Sequence, residues 1–275
     1  MSPSAVARPS AGPSSHSVLH VRRTGNGAPL VLAHGFTQTG QVWGGIDADL
    51  ASDRTVLAVD LPGHGSSSGV AADLPAGADL LGAAGGTADY LGYSMGARFC
   101  LHLALARPDL VRRLILVSGT AGIEDPVARA DRRQADRALA ERLDPSDGGP
   151  PEDTVAEFLE RWMTNPMFGA VPAAAAGKEE RMKNVAAGLA SSLRLAGTGT
   201  QAPLWGRLSE LTVPVLVITG ERDAKFADFG RRLVASVSGT ATHVVIEDAD
   251  HAPHLQHPAE VTAAVRAFLA DQDAE

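Results

Sequence analysis

The chain has 275 residues, of which 44% are hydrophobic and 20% charged, as is typical of a globular protein with one large or two modest domains. Its net charge of −8 argues against nucleic acid or an anionic membrane as the main partner. The single cysteine, Cys100, excludes an intrachain disulfide and a cysteine-based zinc site, and no pair of histidines is predicted to lie at metal-ligand spacing on a helix. Neither a metal nor another cofactor is expected.

The N-terminal residues 1–16 are mostly Ser, Pro and Ala, which predicts a disordered tail. No apolar run approaches the ~20 residues needed to cross a bilayer, and the N-terminus lacks the pattern of a cleavable signal. We therefore expect a cytoplasmic protein without a membrane partner. The sequence leaves the oligomeric state open, and a monomer is compatible with it.

Short, continuously apolar runs separated by Gly-, Pro- and Asp-rich turns predict strands that are covered on both faces. Helical periodicity lies between them, as at residues 94–106, which Arg107-Pro108 ends. The alternation predicts an α/β fold with a mostly parallel sheet and helices on both faces. The predicted strands are residues 30–33, 55–60, 88–93, 114–118, 214–219 and 242–246.

One stretch, residues 123–203, contains helical patterns only and is called the cap below. Its predicted helices are Pro126–Leu143, 151–164 and 179–195. The cap would interrupt an α/β core made of residues 17–122 and 204–275. It would lie over the carboxyl edge of the sheet, where open α/β sheets bind ligands.

The segment Gly92-Tyr93-Ser94-Met95-Gly96 fits G-x-S-x-G between a predicted strand and a predicted helix. The glycines permit a turn so tight that the serine takes strained backbone angles, which lifts its hydroxyl clear of the sheet. Ser94 is therefore the predicted nucleophile.

The partners of Ser94 should follow later strands at the same sheet edge. Asp223 and His251 do so, and the order Ser94, Asp223, His251 is that of an α/β-hydrolase triad. We favour His251 because it comes first after its strand. Other candidates remain for the base and the acid: His254, His257, Asp228, Asp248 and Asp250.

The segment His34-Gly35-Phe36 directly follows the first predicted strand. Its glycine lets the loop bend back, so that the N–H groups of Phe36 and Met95 can form an oxyanion hole. We expect His34 and His64 to be structural hydrogen-bonding residues.

From about residue 30 to 269 the sequence resembles the α/β-hydrolase superfamily and, within it, the 2-succinyl-6-hydroxy-2,4-cyclohexadiene-1-carboxylate synthase family of menaquinone biosynthesis. The segments that carry this resemblance are Gly35-Phe36-Thr37, residues 92–98, the helix with Arg129, Arg132, Arg133 and Asp136, residues 197–201 with Leu204-Trp205, and residues 220–226.

The resemblance implies a lyase in which Ser94, activated by His251 and Asp223, removes a substrate proton and sets off elimination of pyruvate. No acyl-enzyme and no cofactor are implied. The partner would be a small anionic organic substrate. The resemblance places substrate contacts at Tyr93, Arg98, Trp162 and Arg132, with Arg129, Arg133, Arg181 and Lys183 as further candidates.

Helical spacing supports part of this set. Arg98 lies one turn after Ser94 on the same helix face. A cation at this end of a helix interacts unfavourably with the helix dipole unless an anion lies nearby. Arg129 and Arg133 are four residues apart, and either a ligand or a nearby Asp could relieve their repulsion. Lys183 stands where the family has an arginine, and Arg181 is the possible substitute.

Two other functions occur on the same fold. A serine hydrolase of a small ester, thioester or C–C bonded diketone needs the same triad but a less cationic pocket. A non-catalytic binding protein of this fold would have lost a triad member, and none is missing from the sequence.

Overall fold

The computed structural model describes residues 18–169 and 171–271, so the predicted tail at residues 1–16 lies outside the described residues. Within them, the strands form a seven-stranded sheet with the order β1-β3-β2-β4-β5-β6-β7. The strands are β1 Val21–Thr24, β2 Ala28–Ala33, β3 Arg54–Val59, β4 Ala88–Tyr93, β5 Val111–Val117, β6 Val215–Gly220 and β7 Ala241–Ile246.

The six strands from β2 to β7 pair in parallel, and all six match predicted strands. The first strand, β1, pairs antiparallel with β3 and was not predicted. The predicted α/β architecture is thus confirmed, with one additional edge strand.

Helices cover both faces of the sheet. Alternate residues of each strand face two separate hydrophobic cores, as Tyr90 and Leu91 of β4 illustrate, and this explains the continuously apolar strand sequences. The helices are α1 Ile46–Leu50, α2 Leu74–Gly85, α3 Met95–Ala106, α4 Pro126–Leu143, α5 Val155–Met163, α6 Lys178–Arg181, α7 Ala186–Ala196, α8 Ala224–Ser236, α9 Pro253–Gln256 and α10 Pro258–Asp271. None of these helices is long and apolar enough to cross a membrane.

The side chains of α2, α3 and α8 pack into one core, and those of α1 and α10 pack into the other. Between β5 and β6 the described residues form helices only, α4 to α7 together with short 3-10 turns. These helices have a small core of their own, which includes Leu143, Phe158, Leu189 and Leu193. Phe36, from the loop after β2, packs against it.

The helix α4 has the predicted bounds, because Asp125 caps its first turn by accepting a hydrogen bond from the N–H of Ala128 at 2.7 Å. The prediction of one helix at residues 179–195 was wrong. The chain forms the short α6 and then α7, with residues 182–185 between them.

Candidate active site

Ser94 lies at the turn between β4 and α3. Its φ of 50° is in the left-handed region, which is unusual for a residue other than glycine. A Cβ atom on Gly92 would overlap the backbone of Gly96, and a Cβ atom on Gly96 would overlap the carbonyl of Ala33. Only glycine fits at the two flanking positions, as the motif predicts.

The structure brings Ser94, His251 and Asp223 together. The Oγ atom of Ser94 lies 3.0 Å from Nε2 of His251, and Nδ1 of His251 lies 2.7 Å from Oδ2 of Asp223. A carboxylate can only accept, so Nδ1 carries the imidazole proton and Nε2 is free to take the proton of the serine hydroxyl. The arrangement is that of a nucleophile, a base and an orienting acid.

His251 is buried and held on several sides. Its backbone N–H donates to the carbonyl oxygen of Met167 in the cap at 3.1 Å. Its ring packs against Phe226 at a centroid distance of 4.3 Å and against Phe168 at 6.1 Å. Asp223 is fixed as the N-cap of α8, since its Oδ1 accepts from the N–H of Phe226.

The alternative bases lie elsewhere. His254 is fully buried between Tyr93 and Trp43, at centroid distances of 4.2 and 5.5 Å. Burial lowers the pKa of His254 to about 3, so the ring stays neutral. His257 lies before α10, with Nδ1 3.8 Å from Glu260.

The alternative acids also have other partners. Asp228 pairs with Arg231, and Asp248 pairs with Arg222. Asp250 accepts a hydrogen bond from the side-chain amide of Gln256. The geometry therefore selects one base and one acid from the candidates that the sequence left open.

His34 and His64 make the structural hydrogen bonds that the sequence leads us to expect. The Nε2 atom of His34 accepts from the N–H of Leu61 at 3.0 Å, and Nε2 of His64 accepts from the N–H of Thr37 at 3.3 Å. Burial lowers the pKa of His34 to about 4 and that of His64 to about 3, so both rings are neutral.

A cavity of about 290 Å³ opens above Ser94, between the sheet edge and the cap. The two predicted oxyanion-hole residues, Phe36 and Met95, line it beside the serine. Tyr93 and Trp162 line it as well, and the Trp162 ring packs edge-on against Phe36 at a centroid distance of 5.0 Å. Burial raises the pKa of Tyr93, which keeps its hydroxyl protonated.

Three of the predicted arginines line this cavity. Arg98 is buried and donates to the carbonyl oxygen of Ala196 at the end of α7, at 2.8 Å. Arg132 pairs with the buried Asp136 at 2.7 Å. Arg181 is buried and donates to the carbonyl oxygen of Ala176 at 2.8 Å.

Burial lowers the pKa of Arg98 and of Arg181 to about 10, so both remain protonated at neutral pH. A fourth cation of the cavity, Lys225, was not predicted. It lies two residues after Asp223, within a segment that carries the family resemblance, and this position was the available signal.

Three predicted substrate contacts are not among the residues that line the cavity. Arg129 donates to the carbonyl oxygen of Ile123, and Arg133 donates to that of Gly199. Lys183 pairs with Glu180 and borders a separate pocket. The i, i+3 and i, i+4 spacing identified a charged helix but could not determine which of its residues faces inward.

The chain is similar to known proteins along most of its length. A model of the alpha/beta hydrolase family matches residues 30–265. The chain belongs to the α/β hydrolase family. Its sheet, its nucleophile turn and the positions of Asp223 and His251 agree with that membership.

Two curated relatives of this α/β hydrolase have different activities in their names. The 2-succinyl-6-hydroxy-2,4-cyclohexadiene-1-carboxylate synthase of Klebsiella pneumoniae is 34% identical over 252 residues, which cover 88% of this chain and 93% of the relative. A pimeloyl-[acyl-carrier protein] methyl ester esterase of Stenotrophomonas maltophilia is 32% identical over 266 residues, which cover 92% of this chain and 96% of the relative. Family membership alone does not choose between a synthase and an esterase.

Among solved structures, MenH from S. aureus superimposes on this α/β hydrolase with a TM-score of 0.81 and 26% sequence identity. The match covers 92% of this chain and 99% of that structure.

Proposed function

We propose that this α/β hydrolase is a carbon–oxygen lyase that eliminates pyruvate from a succinyl-cyclohexene-carboxylate intermediate of menaquinone biosynthesis. The observation that carries the proposal is the cationic cavity: Arg98, Arg132 and Arg181 line the same space as Ser94. The substrate has three carboxylates, on the succinyl group, on the ring and on the leaving pyruvate. Guanidinium groups bind carboxylates through paired hydrogen bonds, so the number and type of cations fit this anion.

The triad geometry supports a base mechanism. His251 takes the hydroxyl proton of Ser94, and the serine oxygen removes a proton from a ring carbon of the substrate. The electrons of the C–H bond form a new C=C bond, and the C–O bond to the leaving group breaks, so that pyruvate departs as its enolate. The proton on His251 then neutralises the enolate, and no covalent intermediate is needed.

Negative charge develops on a substrate oxygen during this proton removal. In the proposal, the N–H groups of Phe36 and Met95 stabilise it, as backbone donors do in other enzymes of this kind. In the proposal, the cap at residues 123–203 shields the reaction from water. We propose a cytoplasmic location, since the single cysteine leaves no disulfide that needs an oxidising compartment.

A second candidate is hydrolysis of a small ester. The same triad serves it, and the 32% identical relative named as a methyl ester esterase supports it. The two candidates differ in what they ask of the pocket: an uncharged ester has no need of three guanidinium groups, whereas a tricarboxylate does.

The deciding experiment offers purified protein the pathway intermediate while pyruvate is measured, and in parallel a panel of nitrophenyl esters. We expect rapid pyruvate release and slow ester turnover. Fast ester hydrolysis without pyruvate release would reject the lyase and establish the esterase.

A further inference from the structure

Asn184 interrupts the cap helices and contacts the core. It lies between α6 and α7, and only 4% of it is exposed. Its Nδ2 donates to the carbonyl oxygens of Thr37 at 2.8 Å and Arg181 at 2.9 Å, and its Oδ1 accepts from the N–H of Gly65 at 2.9 Å. Because two carbonyls can only accept and an N–H can only donate, these partners fix the orientation of the amide.

Thr37 has a strained backbone. Its φ is 67°, a conformation that costs a β-branched residue ~1–3 kcal/mol and persists only where the surroundings impose it. Its N–H donates to His64, its Oγ1 accepts from Arg181, and its carbonyl oxygen accepts from Asn184. Two of these three partners belong to the cap.

Phe36 lies between Gly35 and Thr37, and both neighbours are anchored. The N–H of Gly35 donates to the side-chain oxygen of Gln38 at 2.8 Å. The position of the Phe36 amide thus depends on two anchored neighbours, and the cap supplies one of the anchors.

We propose that Asn184 is a positioning residue for the oxyanion hole: by binding the carbonyl of Thr37, it fixes the loop that carries the Phe36 N–H. The inference rests on the proposed function, since it takes that N–H as the donor to the developing oxyanion. The donor acts mainly in the transition state, so its displacement lowers kcat more than it raises KM.

The test uses Asn184→Ala and Asn184→Asp in the full chain. The aspartate has nearly the same volume and keeps the bond to Gly65, but it places an oxygen against the carbonyls of Thr37 and Arg181. Both variants should lower kcat for pyruvate release about tenfold or more, with KM changed less than about twofold, because a displaced donor loses part of an effect worth 10²–10³. The matched control is Asp73→Ala, which removes the N-cap of α2 away from the cavity.

A second readout is independent of the natural substrate. A fluorophosphonate probe modifies an active serine and places an oxygen in the oxyanion hole, so its rate of labelling at Ser94 should fall by a similar factor in both variants. Slower labelling of the variants, with a wild type that releases no pyruvate, would reject the proposed function and keep the role of Asn184.

Wild-type kcat and labelling rate in Asn184→Asp, or losses no larger than those of Asp73→Ala, would overturn the role of Asn184. A wild type that the probe does not label would overturn it as well, because Ser94 would then have no functioning oxyanion hole. If Asn184→Ala does not fold, the near-isosteric aspartate variant decides between these outcomes.

Discussion

The guanidinium of Arg98 donates to the carbonyl oxygen of Ala196 at 2.8 Å, which joins the first turn of α3 to the last residue of α7. The carbonyl end of a helix carries partial negative charge and stabilises a cation. This contact partly offsets the repulsion between Arg98 and the amino end of its own helix. Arg98 therefore stays charged in a buried position, next to Ser94.

We expect Arg98→Ala to reduce kcat/KM for the tricarboxylate about tenfold to a hundredfold, which corresponds to the ~1.5–3 kcal/mol of a hydrogen bond to a charged group. Turnover of an uncharged nitrophenyl ester by the same variant serves as the control and should change much less. Steady-state kinetics with both substrates provide the measurement. An equal loss on both would indicate that Arg98 supports the fold of the site and does not bind the anion.

Ser94→Ala should lower pyruvate release about a thousandfold, because the proton-transfer residue is lost. The double variant Ser94→Ala, His251→Ala should be no worse than Ser94→Ala alone, since residues that act as one unit show non-additive losses. Single-turnover assays of these two variants, of the single variant His251→Ala and of the wild type check this. Additive losses would mean that Ser94 and His251 act in separate steps.

Variants of Lys225 and Lys183 test which of the two lysines contributes to substrate binding. Lys225 is an exposed residue of the cavity lining, whereas Lys183 pairs with Glu180 and borders another pocket. Lys225→Ala should raise KM about two- to fivefold, as for an exposed charge worth ~0.5–1 kcal/mol, and Lys183→Ala should leave KM unchanged. A larger effect at Lys183 would restore the assignment that the sequence alone favoured.

The parallel core of the fold could be predicted because its strands are apolar on both faces. The edge strand β1 could not, since its sequence VRRT has neither an apolar run nor clean alternation. The helix α2 is rich in Ala and Gly, and its glycines serve tertiary packing: Gly77 and Gly82 bring it close to Phe99 and Leu103 of α3. Asp73 caps the first turn of α2, since its side chain accepts a hydrogen bond from the N–H of Ala76.

The triad positions could be predicted because each follows a strand at one sheet edge. The helix break at Asn184 could not, because long-range bonds to Thr37 and Gly65 cause it. The helical periodicity of the sequence continues through the break. Local sequence therefore predicts one helix, whereas the tertiary contacts divide it into two.

Three buried histidines make the fold sensitive to acid. Burial lowers the pKa of His34 to about 4, and those of His64 and His254 to about 3, from about 6.5 in an unfolded chain. Above pH 6.5 both states are neutral at these positions. Below pH 6.5 these histidines are protonated in the unfolded chain but stay neutral in the folded chain. The free energy of unfolding therefore falls by about 1.4 kcal/mol per pH unit for each histidine.

His254→Phe should therefore reduce the dependence of the unfolding free energy on pH by about one proton between pH 6 and pH 4. Neither ring nitrogen of His254 has a hydrogen-bond partner within the described part of the chain, so phenylalanine removes the titration and keeps the aromatic packing on Tyr93 and Trp43. Urea unfolding followed by circular dichroism from pH 7.5 to 4 provides the measurement, and the difference at pH 7.5 isolates the effect on packing. Parallel pH dependences in variant and wild type would show that His254 is not kept neutral by the fold.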